Sequence, residues 1–384
     1  MTFPMASLRD DVALLARGLP KPGFVRDNRV DEDPDFVVLA DSVQQALEDA
    51  GLHEGTRPSD LGLVVTHESP GLAPHVQGFF RWGRLAKAWW RSAAKFSPAD
   101  FLYEQQSGSV YRMHSFLYVH YLSALFGLHG FTLYNNNACA SGIFSLQVAA
   151  DRIRSGATGT VVVVGGDVPE DGTKYRWFRD LNLYSPSGCC DPFQAGRDGM
   201  VLGSGAAALV LEDFERAQAA GRRIYAEWLG AGFASDGWKV TFPDVVGRPY
   251  ASAIATALRT AGVTARDLDL IVPHGVGAGL YDRYEASCLA DSFGNGGDPW
   301  PPMMVLKRAL GHTLGGCALV ETVAAILAAR RGLVPEIARC ERPDPSLPIA
   351  TPRPGPLPPQ MLLLKCTNGF AGQNGAMVLR AVAS

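Results

Sequence analysis

Phe131-Thr-Leu-Tyr-Asn-Asn-Asn-Ala-Cys139-Ala-Ser-Gly142 joins an apolar segment to the helical pattern of residues 142–155. Cys139 is therefore predicted at a turn that leads from a strand into a helix. The unpaired N–H groups and the positive end of the helix dipole at such a turn favour a thiolate. Because thiolates attack thioesters and leave again readily, Cys139 is a candidate acyl acceptor.

A buried structural cysteine is the alternative for Cys139, because a free cysteine packs like a small hydrophobe. The small neighbours Ala138, Ala140 and Gly142 would let a substrate approach the sulfur closely. Position alone leaves both alternatives open, and residues elsewhere in the chain have to decide between them.

The rest of the chain alternates short apolar runs with helical patterns. The predicted strands are residues 61–66, 160–164, 206–211, 270–272, 361–364 and 376–379. The predicted helices are residues 35–50, 109–126, 142–155, 250–261, 282–293 and 317–331. This alternation predicts an α/β protein with mostly parallel sheets, whose strands are apolar because both faces are buried. The charged stretch Asp213–Arg222 divides the chain into two parts.

Composition narrows the class of protein. With 47% hydrophobic and 19% charged residues in a chain of 384, the sequence can bury a large core and does not resemble a disordered protein. The net charge of −3 argues against nucleic acid or an anionic membrane as a partner. Residues 1–20 include Asp10 and Asp11 and do not resemble a secretory signal. We find no apolar run of about 18 residues that could span a bilayer.

Seven cysteines occur at irregular spacing, which is typical of reduced thiols and indicates a cytoplasmic location. Cys189 and Cys190 are adjacent and lack the two-residue gap of a zinc pair, so no metal site is predicted.

Two histidines lie in glycine-flanked loops of the second part. His274 and Gly275 follow a predicted strand, and Lys307 comes shortly before Gly311-His312. Loops at strand ends are where α/β proteins place their reactive groups. For each histidine taken alone, a hydrogen-bonded core residue is the alternative.

Taken in order, these motifs resemble those of the β-ketoacyl synthases of the type II, elongating class, in the thiolase superfamily. The resemblance runs from about Leu61 to the C-terminus. It rests on Ala138–Gly142, Asp191–Phe193 with Arg197–Gly203, His274-Gly275 followed by Asp282 and Glu285, Lys307 with Gly311-His312, and Gly369–Asn374.

The resemblance implies a five-layered αβαβα fold, built from two similar halves. Residues 1–215 would form the half with the nucleophilic cysteine, and residues 216–384 the half with the catalytic histidines. It also implies an assembly that is usually a homodimer, although a heterodimer stays open. Substrates would arrive on the phosphopantetheine of an acyl carrier protein or on coenzyme A, with no further cofactor.

The same resemblance assigns the roles of the site residues. Cys139 would be the acyl nucleophile, and His274 and His312 would promote decarboxylation of a malonyl-type thioester and stabilise the enolate. Lys307 with Glu285 would hold the two histidines in order.

Several positions depart from the family pattern. Val276 and Ala278 stand where the family has threonines that bind the phosphopantetheine arm. In the loop of Gly369 and Phe370, which the resemblance makes part of the oxyanion and gating region, Asn368 replaces a gatekeeping phenylalanine. These changes predict altered recognition of the arm and an unusual acyl chain.

The N-terminal part departs as well. Residues 1–34 lack the family's opening strand. The aromatic and basic segment Phe79–Arg91 is interpreted as a helix over the dimer or the pocket mouth, with a membrane-surface helix as the alternative. Its basic residues could also steer an acidic carrier protein.

We therefore predict a β-ketoacyl synthase that catalyses decarboxylative Claisen condensation, in a specialised polyketide or fatty-acid-like pathway. One alternative is an acyltransferase that uses Cys139 without decarboxylation. Another is a non-catalytic subunit that resembles a chain-length factor and shapes a heterodimer.

Overall fold

The computed structural model describes residues 8–78, 110–169, 172–294, 300–335, 342–349 and 355–382. Its strands are β1 (Gly62–Thr66), β2 (Thr132–Asn135), β3 (Thr160–Asp167), β4 (Gly205–Glu212), β5 (Ala226–Ser235), β6 (Leu270–Val272), β7 (Leu333–Val334), β8 (Gly355–Pro356), β9 (Met361–Gly369) and β10 (Gln373–Ala381). Its helices are α1 (Leu8–Gly18), α2 (Pro22–Asp27), α3 (Pro34–Asp49), α4 (Ser115–Phe126), α5 (Ser141–Arg154), α6 (Thr173–Asp180), α7 (Phe214–Ala219), α8 (Pro249–Ala261), α9 (Gly279–Phe293), α10 (Lys307–Leu310) and α11 (Cys317–Arg330). The segment 79–91 lies outside the described residues.

Two four-stranded sheets form the framework, in the orders β2-β1-β3-β4 and β5-β10-β9-β6. In the first sheet β1 is parallel to β2 and to β3, while β3 and β4 are antiparallel. In the second sheet only β6 and β9 are parallel. The prediction of mostly parallel sheets is therefore wrong. β9 and β10 form a hairpin across residues 370–372, and so short a connection can join only antiparallel strands.

The two sheets are separated and covered by helices, in five layers. On the outer face of the first sheet, α3 and α4 pack through residues such as Phe36 and Leu122. Between the sheets lie α5 and α11, whose Ile143 and Leu319 share one apolar cluster with both sheets. Against the outer face of the second sheet pack α8 and α9. The observed αβαβα order confirms the predicted fold.

Each predicted strand has a counterpart in the structure, whereas β2, β5 and the two-residue strands β7 and β8 are not among the predicted ranges. The strand implied before the Cys139 turn is β2, although no bounds were predicted for it because only Leu133 and Tyr134 are apolar there. The pattern gave no sign of β5, whose apolar run is interrupted by Glu227 and by glycines. Within the described residues, helices alone precede β1, as expected from the missing opening strand. No helix in the described ranges is both long and apolar enough to span a membrane.

The contact between α5 and α11 joins the two halves next to Cys139. A β-carbon added at Gly142 on α5 would lie 2.9 Å from the Ala318 β-carbon and 3.0 Å from Leu319 Cγ on α11. At that separation the helices cannot accept a side chain without moving apart. The glycine therefore sets how closely the nucleophile's helix approaches the second half.

Gly142→Ala should lower the free energy of unfolding by about 1–3 kcal/mol, because the added methyl overpacks this contact. Gly279→Ala is the matched control, since a β-carbon there meets nothing within 4 Å. The control should be neutral or slightly stabilising, because alanine favours a helix more than glycine does. Urea unfolding measures both variants; equal stability for the two would contradict the packing argument.

Candidate active site

Residues from both halves line one cavity of about 260 Å³. Cys139 enters it from the first half, and His274 and His312 enter it from the second. The Cys139 sulfur and one ring nitrogen of each histidine all lie within 4.8 Å of one another. The imidazole rings are nearly perpendicular, at 86°, with centroids 5.3 Å apart. The structure thus brings together the three residues that the sequence singled out.

The turn that carries Cys139 is held by local side chains. Ala138, just before the cysteine, has a φ of +50°, a backbone conformation that non-glycine residues rarely adopt. Asn136 Oδ1 accepts a hydrogen bond from the Ala138 N–H at 3.1 Å, and the Ser141 hydroxyl donates to the Ala138 carbonyl at 2.5 Å. Such strain persists only where the surroundings determine the conformation, and it is common at functional sites.

Cys139 is a neutral thiol in the free protein. Burial raises its pKa well above the ordinary value, and Cys317 and Glu68 raise it further. Lys307 and the Phe370 N–H, which hydrogen-bonds to the sulfur, oppose this rise without reversing it. Burial therefore opposes the thiolate that the start of the helix was expected to favour.

His312 is neutral and carries its proton on Nε2. Burial lowers its pKa well below the ordinary value, and the charges of Lys307 and Lys365 lower it further. Its Nδ1 lies 3.0 Å from the Leu314 N–H. Because that backbone group can only donate, Nδ1 must accept, and the ring proton lies on Nε2.

His274 has the same tautomer for a similar reason. Its Nδ1 lies 3.2 Å from the Lys307 ammonium, which can only donate. Burial lowers the pKa of His274 well below the ordinary value, with Lys307 and His312 contributing in turn. Both imidazoles therefore have a free Nε2–H donor and no charge.

Lys307 is fixed by a buried carboxylate that sequence reasoning missed. Glu321, on α11, contacts the Lys307 ammonium with one oxygen and the Lys365 ammonium with the other, each at 2.5 Å. Lys307 also donates to the His274 carbonyl at 2.7 Å. Burial alone would lower the pKa of Lys307, but Glu321 holds that pKa above the ordinary value. Glu321 thereby keeps charged the group that orients His274.

Glu285 contacts the His274 loop, as a residue that orders this histidine should, but Lys307 forms its ion pair with Glu321 and not with Glu285. The two carboxylate oxygens of Glu285 accept hydrogen bonds from the His274 and Gly275 N–H groups at 2.6 and 2.7 Å. The Tyr250 hydroxyl donates to the same carboxylate at 2.9 Å. Glu285 therefore holds the backbone of the His274 loop, and Lys307 holds the ring.

A signal for Glu321 was present in the sequence. It is the one acid in the otherwise apolar segment Cys317–Arg330, and Lys365 interrupts an apolar strand in the same way. A buried charge is costly unless it is paired. Two isolated residues of opposite charge in apolar segments are therefore candidates for a buried ion pair with each other.

The loop after β9 closes the cavity next to the nucleophile. A β-carbon at Gly369 would lie 3.2 Å from the Cys139 backbone nitrogen, so the loop and the nucleophile's turn are in close contact. Phe370 packs against Trp177, Phe178 and Tyr281 with centroid distances of 5.4–6.1 Å. The cavity wall on this side is apolar.

Val276, Ala278 and Asn368, the three positions that depart from the family pattern, are all buried and all line the cavity. Val276 and Ala278 offer a ligand no side-chain donor or acceptor. Asn368 is therefore the polar member of this group.

Glu68 adds a carboxyl group to the cavity wall that the sequence did not suggest. Burial raises its pKa to about 7, although Lys174 lies 3.6 Å away and opposes the rise. Behind it, one ligand atom from each of Asp35, His67 and Asp167 lies within 4.8 Å of the others. This cluster, and Cys139 with the two histidines, have atom types that divalent metals accept. The absence of a metal stays a prediction.

The chain matches two domain models, described as "Beta-ketoacyl synthase, N-terminal domain" over residues 23–217 and "Beta-ketoacyl synthase, C-terminal domain" over residues 225–341. Nodulation protein E of Rhizobium sp. (strain N33) is 31% identical over 263 residues, which are 68% of this chain and 64% of that protein. "Putative polyketide beta-ketoacyl synthase 1" of Streptomyces cyaneus is 32% identical, over 66% of this chain and 61% of that protein. The chain thus matches less than two thirds of the length of these relatives.

The fold is that of the thiolase-like ketosynthases. A solved structure titled "The ishigamide ketosynthase/chain length factor" superposes with a TM-score of 0.77 at 25% identity, over 91% of this chain and 82% of that chain. The first domain model alone matches more than half of the 384 residues. The chain belongs to the β-ketoacyl synthase family.

Glu321→Gln should lower the free energy of unfolding by about 3–5 kcal/mol, because two buried ammonium groups would lose their carboxylate. Glu285→Gln is the matched control, since its oxygen can still accept from one of the two backbone N–H groups and the variant removes no carboxylate that pairs with Lys307 or Lys365. We expect the control to cost less than half as much in urea unfolding. An equal or larger effect for Glu285→Gln would contradict the assignment of Glu321 as the partner of Lys307.

Proposed function

We propose that this protein is a β-ketoacyl synthase that condenses a Cys139-bound acyl group with a malonyl-type thioester and releases carbon dioxide. The observation that carries the proposal is the meeting of the Cys139 sulfur with two neutral imidazoles within 4.8 Å in one cavity. Each imidazole presents an Nε2–H donor, because its Nδ1 is already engaged as an acceptor.

In the first step the Cys139 sulfur attacks the carbonyl carbon of an acyl thioester. The backbone N–H groups of Cys139 and Phe370 would hold the oxyanion that forms, and the Phe370 N–H already contacts the sulfur. The carbon–sulfur bond to the carrier then breaks. The carrier thiolate leaves with the proton that Cys139 gives up, so charge does not accumulate in the buried cavity.

In the second step the malonyl-type thioester loses carbon dioxide. The electron pair of the broken carbon–carbon bond moves onto the thioester oxygen as an enolate, which the Nε2–H groups of His274 and His312 stabilise. The enolate carbon then attacks the acyl carbonyl and expels the Cys139 sulfur as a thiolate, which takes up one proton from solvent to become the thiol again. Neutral imidazoles suit this step, because it requires donors and no proton transfer from the rings.

Delivery and partners follow from the family and the cavity. We propose that substrates arrive on phosphopantetheine, carried by a protein or by coenzyme A, and that no further cofactor takes part. The side chains of Val276 and Ala278 cannot hydrogen-bond the arm, so backbone groups or other side chains must position it. The relative named as a polyketide synthase supports a specialised pathway, and the ketosynthase/chain length factor structure supports a dimer, whether of one chain or of two. A cytoplasmic location stays a prediction.

A non-decarboxylating acyltransferase is the second candidate. The apolar side chains at Val276 and Ala278 favour it, because they weaken the case for ordinary binding of a malonyl carrier. The two Nε2–H donors favour condensation, since an acyl transfer alone needs just the oxyanion site at Cys139. A non-catalytic subunit is disfavoured by the retained and strained cysteine turn.

Cys139→Ala should abolish acylation and leave malonyl decarboxylation measurable, because the histidines and the cavity remain. His274→Ala or His312→Ala should lower decarboxylation by about 10²–10³-fold, the cost of one lost oxyanion donor. Acylation of Cys139 should fall much less in both histidine variants. Intact-protein mass spectrometry and carbon dioxide release measure the two half-reactions.

Cys189→Ala is the matched control for acylation, because Cys189 is an exposed cysteine outside the cavity. It should retain both the adduct and carbon dioxide release. An adduct without carbon dioxide release from any malonyl thioester would favour the acyltransferase. Condensation at the wild-type rate by His312→Ala would contradict the role assigned to that ring.

A further inference from the structure

Asn368 belongs to a chain of amide groups that begins outside the cavity. It lies on β9 directly opposite Asn374 on β10. Its Nδ2 donates to Asn374 Oδ1 at 2.5 Å. Asn374 Nδ2 in turn donates to Asp236 Oδ1 at 2.6 Å and to the Gly372 carbonyl at 3.1 Å.

The orientation of both amides is fixed from the far end of this chain. The Asp236 carboxylate and the Gly372 carbonyl can only accept, so Asn374 must turn its NH₂ group towards them. The Asn374 Oδ1 therefore faces Asn368, and Asn368 donates a hydrogen bond to it from its own NH₂ group. A flip of either amide would place two donors or two acceptors against each other.

This arrangement uses the NH₂ group of Asn368 and leaves its Oδ1 without a hydrogen-bond donor. The side chain is buried, and Oδ1 has no hydrogen-bond partner among the residues that the structure describes. A buried acceptor without a partner costs about 1–3 kcal/mol. The residue lines the same cavity as Cys139, next to the apolar wall that includes Val276 and Phe370. A ligand group with a donor would remove that cost.

The neighbouring backbone indicates which part of a ligand comes near. Asn368 is adjacent to Gly369, whose β-carbon position lies 3.2 Å from the Cys139 nitrogen and 3.4 Å from the Ala140 nitrogen. Because Asn368 and Cys139 line the same cavity of about 260 Å³, a group that reaches Asn368 is close to the nucleophile, where the first carbons of a bound acyl chain must lie.

We propose that Asn368 Oδ1 accepts a hydrogen bond from a hydroxyl group on the acyl chain, so that the protein selects hydroxylated acyl thioesters over unsubstituted ones. The inference rests on the proposed acylation of Cys139 and adds its substrate class. A site built around a buried acceptor disfavours an analogue that lacks the donor, because the acceptor then stays unpaired.

The experiment compares acylation by the N-acetylcysteamine thioesters of 2-hydroxybutanoate, 3-hydroxybutanoate and butanoate, which share one thiol and one chain length. For at least one hydroxylated ester, kcat/KM of the wild type should exceed that of butanoate by about three- to tenfold, the range of one net hydrogen bond. Asn368→Leu, of similar size but without an acceptor, should bring this ratio close to one. A general loss of activity in the variant lowers both kcat/KM values equally and therefore cancels in the ratio.

Thr367→Val is the matched control, because this neighbour on β9 also loses one polar group but does not line the cavity. It should keep the wild-type ratio. Asp236→Asn, also outside the cavity, provides a second variant if Asn368→Leu does not fold. With an amide at position 236, the orientations of the Asn374 and Asn368 amides are no longer fixed, so the ratio of kcat/KM values should fall.

A wild-type ratio near one for both hydroxylated esters would overturn the inference, as would an unchanged ratio in Asn368→Leu. An equal loss for all three esters in that variant would assign the donor to the N-acetylcysteamine amide, and hence to the carrier arm, and would also overturn it. If no ester acylates Cys139, the proposed function itself fails. Equal acylation by all three esters leaves that function standing.

Discussion

The packing of α5 against α11 between the two sheets is the constraint on which the site depends. Gly142 lets the helices approach so closely that the turn before α5 and the loop before α11 share one cavity. The Cys317 thiol, at the start of α11, donates to the Cys139 carbonyl at 3.3 Å and ties the two together. A nucleophile from the first half thus reaches His274 and His312 from the second, so neither half alone contains the site.

Desolvation sets the charge state of every reactive group in that cavity. It keeps Cys139 protonated and both imidazoles neutral, while Glu321 holds Lys307 charged and also pairs with Lys365. The site therefore acts through oriented N–H donors, which stabilise a developing oxyanion without solvent having to reorganise. Positive φ values mark three of the loops around the site: Ala138 precedes Cys139, the Leu314 N–H binds the His312 ring, and Ala371 follows Phe370.

Sequence patterns could predict the layers and the reactive residues, but not the hydrogen bonds and ion pairs that connect those residues. Cys139 and both histidines are visible because small residues surround them in loops at element ends. Glu285 was taken for the acid that works with Lys307, whereas the ion-pair partner is Glu321. Sequence alone does not show that the Glu285 carboxylate is occupied by the backbone N–H groups of the His274 loop. The neutral thiol was also out of reach, because a helix end is visible in sequence whereas the depth of burial is not. β5 was missed because glutamate and glycines break its apolar run, which tertiary packing tolerates.

Nitrogen-15 NMR of the wild-type protein labelled at histidine tests the central claim, that two neutral rings present Nε2–H donors to a substrate beside Cys139. The signals are assigned with His274→Gln and His312→Gln. At pH 7 both rings should show an unprotonated Nδ1 and a protonated Nε2. Because their pKa values lie well below 6.5, both should keep this form at pH 6, where an exposed histidine is mostly charged. A doubly protonated ring, or a proton on Nδ1 of either residue at pH 7, would contradict the account.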